Sequence, residues 1–175
     1  MPMTTVYFLR HGEYEGQDKF VAFRAKGFPL NSRGKNQIKK LVRDFANVAA
    51  IYSSPITRCL ESAKIIGEKY NLKVTVDERL TEVKSPFNGI QKDKFLEIKG
   101  KNSLYDLPAQ IAKGETLEEI EERMKGFLKE ILRVYKNKTV VAVSHADPII
   151  ILRKHITGKD FRIEVGEYFK YEKQN

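Results

Sequence analysis

The chain has 175 residues, 41% of them hydrophobic, which is typical of one globular domain and excludes a disordered chain. No apolar run approaches the roughly 20 residues that a membrane span needs, so we expect no membrane association. The single cysteine, Cys59, excludes an internal disulfide, and residues 1–13 do not resemble a secretory leader, so we expect a cytoplasmic protein.

The formal net charge of +9 arises from 32 Lys and Arg residues against 23 Asp and Glu residues. A basic surface attracts phosphates, either in nucleic acid or in small metabolites. A surface rich in both lysine and glutamate, as in many thermophiles, would give a similar composition. The charges are scattered and form no long basic run, which favours the second interpretation. We therefore expect no nucleic-acid binding, although the excess of cations agrees with an anionic substrate.

The first half of the chain alternates between strand-like and helix-like segments. Strands rich in β-forming residues are predicted at residues 4–9, 48–53 and 72–76. Residues 34–45 carry apolar side chains at helical spacing. Residues 54–70 predict a second helix, with Ser54 as its N-cap and Pro55 at its first helical position.

The second half begins with residues 83–114, whose prolines and glycines predict irregular structure. The tetrapeptide TLEE then predicts a capping box between Thr116 and Glu119. The apolar residues after it share one helical face: Leu117, Ile120, Met124, Phe127, Leu128 and Ile131.

The last three predicted elements are a buried strand at 138–144, a helix at 147–158 and a strand at 166–172. Asp147 is the expected cap of this helix, and Gly158 follows its end. Strands and helices alternate over the whole chain, and several strands are rich in Val and Ile. This pattern predicts an α/β fold, in which a mainly parallel sheet is covered by helices on both faces.

Polar residues with phosphate chemistry follow three of the predicted strands. Arg10 and His11 follow the first, Ser54 and Arg58 follow the second, and His145 follows the strand at 138–144. Ligands of such folds bind at the carboxyl ends of the strands, where helix N-termini also favour anions. Arginine offers a planar fork that matches phosphate oxygens. The pattern therefore predicts a phosphate site that contains a nucleophile.

Each of these residues also has a purely structural interpretation when it is taken alone. Arg58 could be a solvated arginine of a first helical turn, and His145 could be a hydrogen-bonded core histidine. We interpret His155, near a helix C-terminus, as structural, and Cys59 as a small core residue. The histidines lack the short spacing of a zinc site, so no metal is expected.

Several motifs resemble those of the histidine phosphatase superfamily, which includes the phosphoglycerate mutases. They cover nearly the whole chain and stand in the family's order: VYFLRHGE, PLNSRGKNQ, SSPITRCLESAKI, LTEV, GETLEEIEERM and VSHADPI. An RHG triplet alone would be weak support, but this ordered set is specific. The resemblance implies one domain over residues 1–175 with a three-layer α/β/α sandwich around a mixed, mostly parallel sheet.

The resemblance also implies a role for each matching residue. His11 would be the nucleophile that becomes phosphohistidine, and Arg10, Arg58 and His145 would hold the phosphoryl oxygens, with His145 also in the catalytic set. Glu82, in LTEV, would be the proton donor. It could instead be a loop carboxylate paired with Arg79 or Lys84. No metal or organic cofactor is implied.

Electrostatic arguments agree with the roles that the resemblance implies for His11 as nucleophile and Glu82 as proton donor. Arg10 and Arg58 should lower the pKa of His11, which must be neutral to attack. Partial burial should raise the pKa of Glu82, which must begin protonated. The family usually has glycine after its second histidine, whereas this chain has Ala146 and Asp147. We expect Asp147 to turn back and cap the helix, which leaves the phosphate site intact.

Three functions remain open at this point. The first is a histidine acid-type phosphatase, a phosphoric monoester hydrolase that acts through phosphohistidine on a small metabolite or a phosphoprotein. The second is a phosphoglycerate-type mutase, which would need a second phosphate pocket under a closing cover. Only about thirty residues separate Glu82 from the GET segment, and members of the family with elaborate covers have more residues there. This short segment favours the phosphatase. The third is a catalytically silent phosphate-binding module.

Loops 14–30 and 83–113 would select the substrate, and neither the identity of the substrate nor the oligomeric state is readable from sequence.

Overall fold

A computed structural model describes residues 2–100 and 114–174. Its main sheet has five strands in the order β4-β3-β6-β1-β7. In chain order these strands are β1 (Met3–Arg10), β3 (Val48–Ser53), β4 (Val74–Val76), β6 (Thr139–Ser144) and β7 (Tyr168–Gln174). β1, β3, β4 and β6 are parallel, and β7 pairs antiparallel with β1 at one edge. The prediction of a mixed, mostly parallel sheet is confirmed.

The helices cover both faces of this sheet, because buried side chains of the central strands alternate between its two sides. Val6 and Phe8 of β1 belong to one core cluster, which α4 (Leu117–Val134) and α5 (Ala146–Thr157) cover. Tyr7 and Leu9 belong to the other cluster, beneath α1 (Ser32–Leu41) and α2 (Thr57–Tyr70). The alternation follows the two-residue period of a strand. The predicted three-layer α/β/α sandwich is therefore confirmed.

Two predicted helix starts are wrong. α2 begins at Thr57 after Ile56, because the Ser54 hydroxyl is used elsewhere, so neither Ser54 nor Pro55 has the predicted position. α5 begins at Ala146 with His145 as its N-cap, which places Asp147 inside the first turn rather than at the cap. Neither N-cap residue, Ile56 or His145, makes a side-chain hydrogen bond to its helix.

The predicted irregular stretch 83–114 contains regular structure in its described part. β5 (Ile90–Gln91) pairs antiparallel with β2 (Phe20–Val21), and α3 (Lys92–Lys99) follows directly. The prolines and glycines of this stretch predicted irregular structure, so these short elements were not recognised from the sequence pattern. The prediction for residues 101–113 lies outside the described residues.

The helix after TLEE confirms the capping box: Thr116 accepts from the Glu119 amide, and the Glu119 carboxylate accepts from the Thr116 amide. Of its predicted apolar face, only Leu117 is wrong, since it is 42% exposed at the first turn. At the end of α5, Gly158 has φ of 68°, a left-handed conformation that glycine adopts without strain. In the described part of the chain, none of the helices has the length and apolar character of a membrane span.

Candidate active site

The parallel strands bring the predicted residues to one edge of the sheet. Arg10 is the last residue of β1, and His11 follows it. Arg58 lies in the first turn of α2 after β3, and His145 follows β6 directly. Glu82 lies just after the short 3₁₀ turn Glu78–Leu80 that follows β4. All five predicted site residues therefore come from carboxyl ends of parallel strands, the place where such folds bind ligands.

His11 is held as a neutral imidazole with a defined tautomer. Its Nδ1 lies 2.8 Å from the Gly12 carbonyl oxygen, and its Nε2 lies 3.0 Å from Nε of Arg58. A carbonyl only accepts and a guanidinium only donates, so the proton is on Nδ1 and the lone pair is on Nε2. Burial, and then the charges of Arg58 and Arg10, hold the pKa of His11 well below its usual range. The predicted direction is confirmed, but burial rather than the arginines is its main cause.

Two glycines fix the loop that carries His11. A Cβ on Gly12 would lie 2.6 Å from the carbonyl oxygen of Gly34, and a Cβ on Gly34 would lie 2.0 Å from the carbonyl oxygen of Glu13. Real Cβ atoms do not approach backbone this closely, so the contact between this loop and α1 requires glycine on both sides. The Gly12 amide also donates to Oγ of Ser62 at 3.2 Å. The RHG glycine therefore serves close packing behind His11.

Arg58 is the central cation of the site. Its side chain is 2% exposed, and its Nη2 donates to the Phe23 carbonyl at 2.7 Å and to Nδ1 of His145 at 3.1 Å. Phe23 has φ of 43°, an uncommon left-handed conformation for a residue other than glycine. The Nη1 group of Arg58 is buried and has no hydrogen-bond partner among the described residues. Sequence reasoning found Arg58 but not the Phe23 carbonyl, because a backbone group leaves no sequence signal.

Arg10 presents a second unused donor at the same edge. Its Nη1 donates to the Ile163 carbonyl at 2.7 Å, which anchors the guanidinium group. Its Nε is buried and, within the described ranges, has no hydrogen-bond partner. Buried polar groups are nearly always satisfied, so these two guanidinium N–H groups are donors that an anionic ligand could use.

His145 has the opposite tautomer from His11. Its Nδ1 accepts from Arg58, so its Nε2 carries the proton and donates to Oγ of Ser54 at 2.9 Å. Burial, then the charge of Arg58, keep the pKa of His145 well below its usual range. The rings of His145 and His11 are 5.2 Å apart. Ser54 is thus a partner of the site rather than the predicted helix cap.

Glu82 approaches this cluster with one carboxylate oxygen. Its Oε2 lies 3.6 Å from Nδ1 of His145 and 3.9 Å from Nη2 of Arg58, while Oε1 accepts from the Val83 amide at 3.0 Å. Burial, and then the negative charge of Asp147, raise the pKa of Glu82 to about 7. The predicted rise is confirmed. The alternative pair with Arg79 is wrong, because that arginine bonds Asp77 and a glutamate of α4.

The aromatic residues of the two loops pack against one another. The ring pairs Tyr14–Phe28, Phe23–Phe95 and Phe87–Phe95 have centroid separations of 5.7, 5.7 and 5.5 Å. The Tyr14 ring also lies under the guanidinium group of Arg58 at 5.1 Å. These contacts pack the aromatic residues of the described loop segments together, with Tyr14 next to Arg58 of the site.

The two remaining candidates have the structural positions that the sequence predicted. His155 lies on α5 with Nδ1 2.9 Å from the Glu121 carboxylate, on a helix surface and outside the cluster. Cys59 is fully buried beside His145, and burial raises the pKa of its thiol to about 12. Within residues 2–100 and 114–174, no group of three or more His, Cys, Asp or Glu side chains is arranged to hold a metal ion.

Comparisons with known proteins agree with this geometry. The family model described as "Histidine phosphatase superfamily (branch 1)" matches residues 6–165. Phosphoserine phosphatase 1 of Hydrogenobacter thermophilus is 30% identical over 168 residues, covering 90% of this chain and 78% of the relative. The uncharacterized phosphatase PhoE of Bacillus subtilis is 30% identical over 161 residues, covering 90% of this chain and 80% of the relative.

A solved structure shows the same fold. The phosphoglycerate mutase from Bacillus anthracis superimposes with a TM-score of 0.84 at 20% identity, covering 98% of this chain and 88% of that one. Family and relatives together indicate an enzyme of phosphatase or mutase type. With its family model matched from residue 6 to residue 165, the chain belongs to branch 1 of the histidine phosphatase superfamily.

Proposed function

We propose that the protein is a histidine acid-type phosphatase, which hydrolyses phosphomonoesters through a phosphohistidine on His11. The observation that carries this proposal is the buried guanidinium group of Arg58 beside the lone pair of His11. Its Nη1 and the Nε of Arg10 have no partner in the described part of the chain. A buried cation with unused donors is costly unless an anion neutralises it. A phosphoryl group at Nε2 of His11 would supply that anion.

Binding would use the fixed donors at the sheet edge. Arg58 and Arg10 would each give an N–H to a phosphoryl oxygen, and charge-assisted bonds of this kind are short and strong. α2 and α5 begin at the same edge, and neither has a side-chain hydrogen bond from its N-cap residue. Helix N-termini of this kind favour anions.

In the first half-reaction, the Nε2 lone pair of His11 would attack phosphorus while the ester P–O bond breaks. The proton on Nδ1 stays hydrogen-bonded to the Gly12 carbonyl, which stabilises the positive phosphoimidazole. Arg58 would turn its Nε from the nitrogen to a phosphoryl oxygen. Protonated Glu82 would give its proton to the leaving oxygen, so that an alcohol departs rather than an alkoxide.

In the second half-reaction, water would attack the phosphohistidine from the side that the alcohol has left. Glu82, now ionised, would accept a proton from this water as the new P–O bond forms. The P–N bond breaks, and inorganic phosphate and neutral His11 are released. A pKa of about 7 suits both tasks, since it lets Glu82 exchange its proton near neutral pH.

The choice of phosphatase over mutase is supported by chain length. About thirty residues separate Glu82 from the GET segment, which leaves little material for a cover around a second phosphate pocket. The silent binding module is disfavoured because Arg10, His11, Arg58 and Glu82 are all present and assembled with His145. A relative named as a phosphoserine phosphatase supports a small phosphorylated metabolite as substrate.

We also propose that residues 1–175 form one domain. This is supported by the pairing of β7 with β1, which joins residues 3–10 and 168–174 in one sheet. The cytoplasmic location proposed for the protein is supported by its single cysteine, Cys59, which excludes an internal disulfide.

The test is a panel of phosphoesters that includes phosphoserine, 3-phosphoglycerate, glycerol phosphate and p-nitrophenyl phosphate. We expect release of inorganic phosphate from at least one alkyl ester. The same protein should show no interconversion of 2- and 3-phosphoglycerate when a bisphosphoglycerate primer is added. Primer-dependent interconversion without hydrolysis would establish the mutase instead, and phosphate binding without either reaction would establish the silent module.

A further inference from the structure

One partly buried carboxylate outside the phosphate site joins three separate parts of the chain. Glu115 lies just before α4, and its side chain is 11% exposed. It receives hydrogen bonds from Nη2 of Arg24 at 3.0 Å and from Nε and Nη2 of Arg123 at 2.6 and 3.1 Å. Arg24 belongs to the loop after β2, and Arg123 belongs to α4. The three side chains form one ionic network, called here the Glu115 network.

The Glu115 network bonds the backbone on both sides of Glu82. Arg24 donates from Nε to the carbonyl oxygen of Glu82 itself at 2.6 Å. Arg123 donates from Nη1 to the carbonyl oxygen of Arg79. The Lys84 amide donates to the Glu115 carboxylate at 3.3 Å, and the Glu115 amide donates to the Lys84 carbonyl at 3.0 Å. These four bonds hold residues 79–84, a segment with only one short 3₁₀ turn of its own.

The surroundings of Glu115 favour its ionised form. Burial alone would raise the pKa of Glu115, but hydrogen bonds and charge from Arg123 hold that pKa below its usual value. The neighbouring Glu82 has the opposite behaviour, with a pKa raised to about 7. The two carboxylates lie on adjoining segments but differ in their preferred state. The surroundings favour the ionised form of Glu115, whereas Glu82 can exchange its proton near neutral pH.

We propose that Glu115 and Arg24 are positioning residues, which hold Glu82 at the distance from which it protonates the leaving group. This inference rests on the proposed function, because it gives the network a task only if Glu82 is the proton donor. Displacement of a catalytic group by about 1 Å can cost about 100-fold in rate. The loss should fall on substrates that need the proton and should spare those that do not.

The test compares two esters in four proteins. The variants are Glu115→Gln and Arg24→Gln, with Glu130→Gln as the control. Glu130 also bonds an arginine of this segment, the Arg79 side chain at 2.9 Å, but it belongs to no bond of the Glu115 network. Glycerol phosphate has a poor leaving group, and p-nitrophenyl phosphate has one that hardly needs a proton.

For Glu115→Gln and Arg24→Gln we expect kcat on glycerol phosphate to fall by about 10- to 100-fold. The loss on p-nitrophenyl phosphate should be much smaller, and Glu130→Gln should match the wild type on both esters. Hydrogen exchange of the peptide containing residues 80–84 should be faster in both network variants than in the control. Arg24→Gln removes the bond to Glu82 but leaves the bonds between Glu115 and Arg123, so it serves where Glu115→Gln fails to fold.

The outcomes separate this inference from the proposed function. A wild type without turnover on any phosphoester would overturn the function and the inference with it. An active wild type whose network variants lose equally on both esters would overturn the inference alone, because that pattern means general damage to the site. The inference would also be overturned if hydrogen exchange of residues 80–84 were the same in the network variants as in Glu130→Gln. That result would mean that other contacts hold this segment.

Discussion

Nε of Arg58 donates a hydrogen bond to Nε2 of His11 across 3.0 Å, so a fixed cation faces the lone pair of the nucleophile. Burial is the main reason that the imidazole stays neutral, and this contact adds to it because a second proton on His11 would face the guanidinium directly. It also holds the reactive nitrogen toward the group that would bind the phosphoryl oxygens.

The first prediction concerns His11 as the nucleophile. His11→Ala should lose at least about 10³-fold in turnover, as expected when a covalent nucleophile is removed. Wild-type enzyme quenched in alkali during turnover should carry an acid-labile phosphate on His11, which mass spectrometry of the peptide would locate.

The matched control for this prediction is His155→Ala. That histidine bonds Glu121 on a helix surface and is 41% exposed at its side chain, so its removal should leave turnover and labelling unchanged. Near-normal turnover of His11→Ala would show that another group attacks phosphorus.

The second prediction concerns the proton that Glu82 gives to the leaving group. Glu82→Gln keeps the shape of the side chain but carries no transferable proton, so alkyl phosphates should slow by roughly 10²- to 10⁴-fold. p-Nitrophenyl phosphate should lose far less, because its leaving group is stable as an anion. Steady-state kinetics on both esters measure the difference. Equal losses would show that Glu82 holds the site together, and Asp147 would become the next candidate donor.

The third prediction concerns the pH profile and Asp147. The proposed mechanism needs His11 unprotonated and Glu82 protonated, so kcat/KM should be bell-shaped, with its alkaline limb near the Glu82 pKa of about 7. The pKa of His11 lies well below its usual value, which places the acidic limb low and the maximum on the acidic side of neutrality. Asp147→Asn removes a negative charge that disfavours ionised Glu82, so the alkaline limb should move to lower pH.

Asp160→Asn is the control for the Asp147 variant, because Asp160 is 90% exposed and pairs with Lys154. It makes the same change of charge at the surface and should leave the profile in place. An alkaline limb that stays fixed in Asp147→Asn would mean that a group other than Glu82 titrates there.

The sequence was sufficient for the residues that bond through side chains at strand ends. Arg10, His11, Arg58 and His145 stand at fixed positions after predicted strands, and parallel strands necessarily bring their carboxyl ends to one edge. The three-layer fold followed from the same alternation of strands and helices. These features depend on local pattern and on topology, which sequence carries directly.

The sequence was insufficient where a polar residue had two possible partners. Ser54 has the chemistry of a helix cap, but in the structure its hydroxyl accepts from His145, a residue far away in the chain. Asp147 has the same chemistry, yet it lies within the first turn and acts on Glu82 through its charge. Local propensity cannot decide between a cap and a distant partner, since both uses need the same short polar side chain.

The Glu115 network was missed for a related reason. Glu115 was visible only as part of a GET motif before a capping box, and Arg24 only as one residue of a loop. Their importance comes from bonds to backbone groups of residues 79–84, and backbone groups are the same in every sequence. A partly buried Glu between two arginines is a tertiary feature that the periodicity of the sequence does not indicate.

The fourth prediction concerns chelation. The proposed nucleophile is a side chain, and the proposed neutralisation of the phosphoryl charge comes from Arg10 and Arg58. Turnover should therefore survive exhaustive dialysis against EDTA, as measured by phosphate release before and after. Loss of activity that a divalent ion restores would replace the phosphohistidine mechanism with a metal-dependent one.

The position of Glu82 has a consequence for stability. Its pKa rises from 4.5 to about 7 on folding, so the folded protein binds this proton more tightly than the unfolded chain does. Between these two values the unfolded chain releases the proton first. The contribution of Glu82 to stability must therefore fall as pH rises from about 4.5 to about 7, and it stays at its lowest value above that range. The cost corresponds to an upper limit on the order of 3 kcal/mol.

The fifth prediction is that Glu82→Gln stabilises the protein while it impairs catalysis. Glutamine resembles the protonated carboxyl group, so the variant should match the wild type near pH 4.5 and exceed its Tm by several degrees above pH 7. Thermal unfolding at several pH values measures this difference. His11 and His145 titrate in both the variant and the wild type, so their contribution cancels when the two Tm values at one pH are subtracted. Glu122→Gln is the control, because Lys125 lowers the pKa of Glu122 and its replacement should not stabilise. A Tm difference independent of pH would show that Glu82 is not held protonated by the fold.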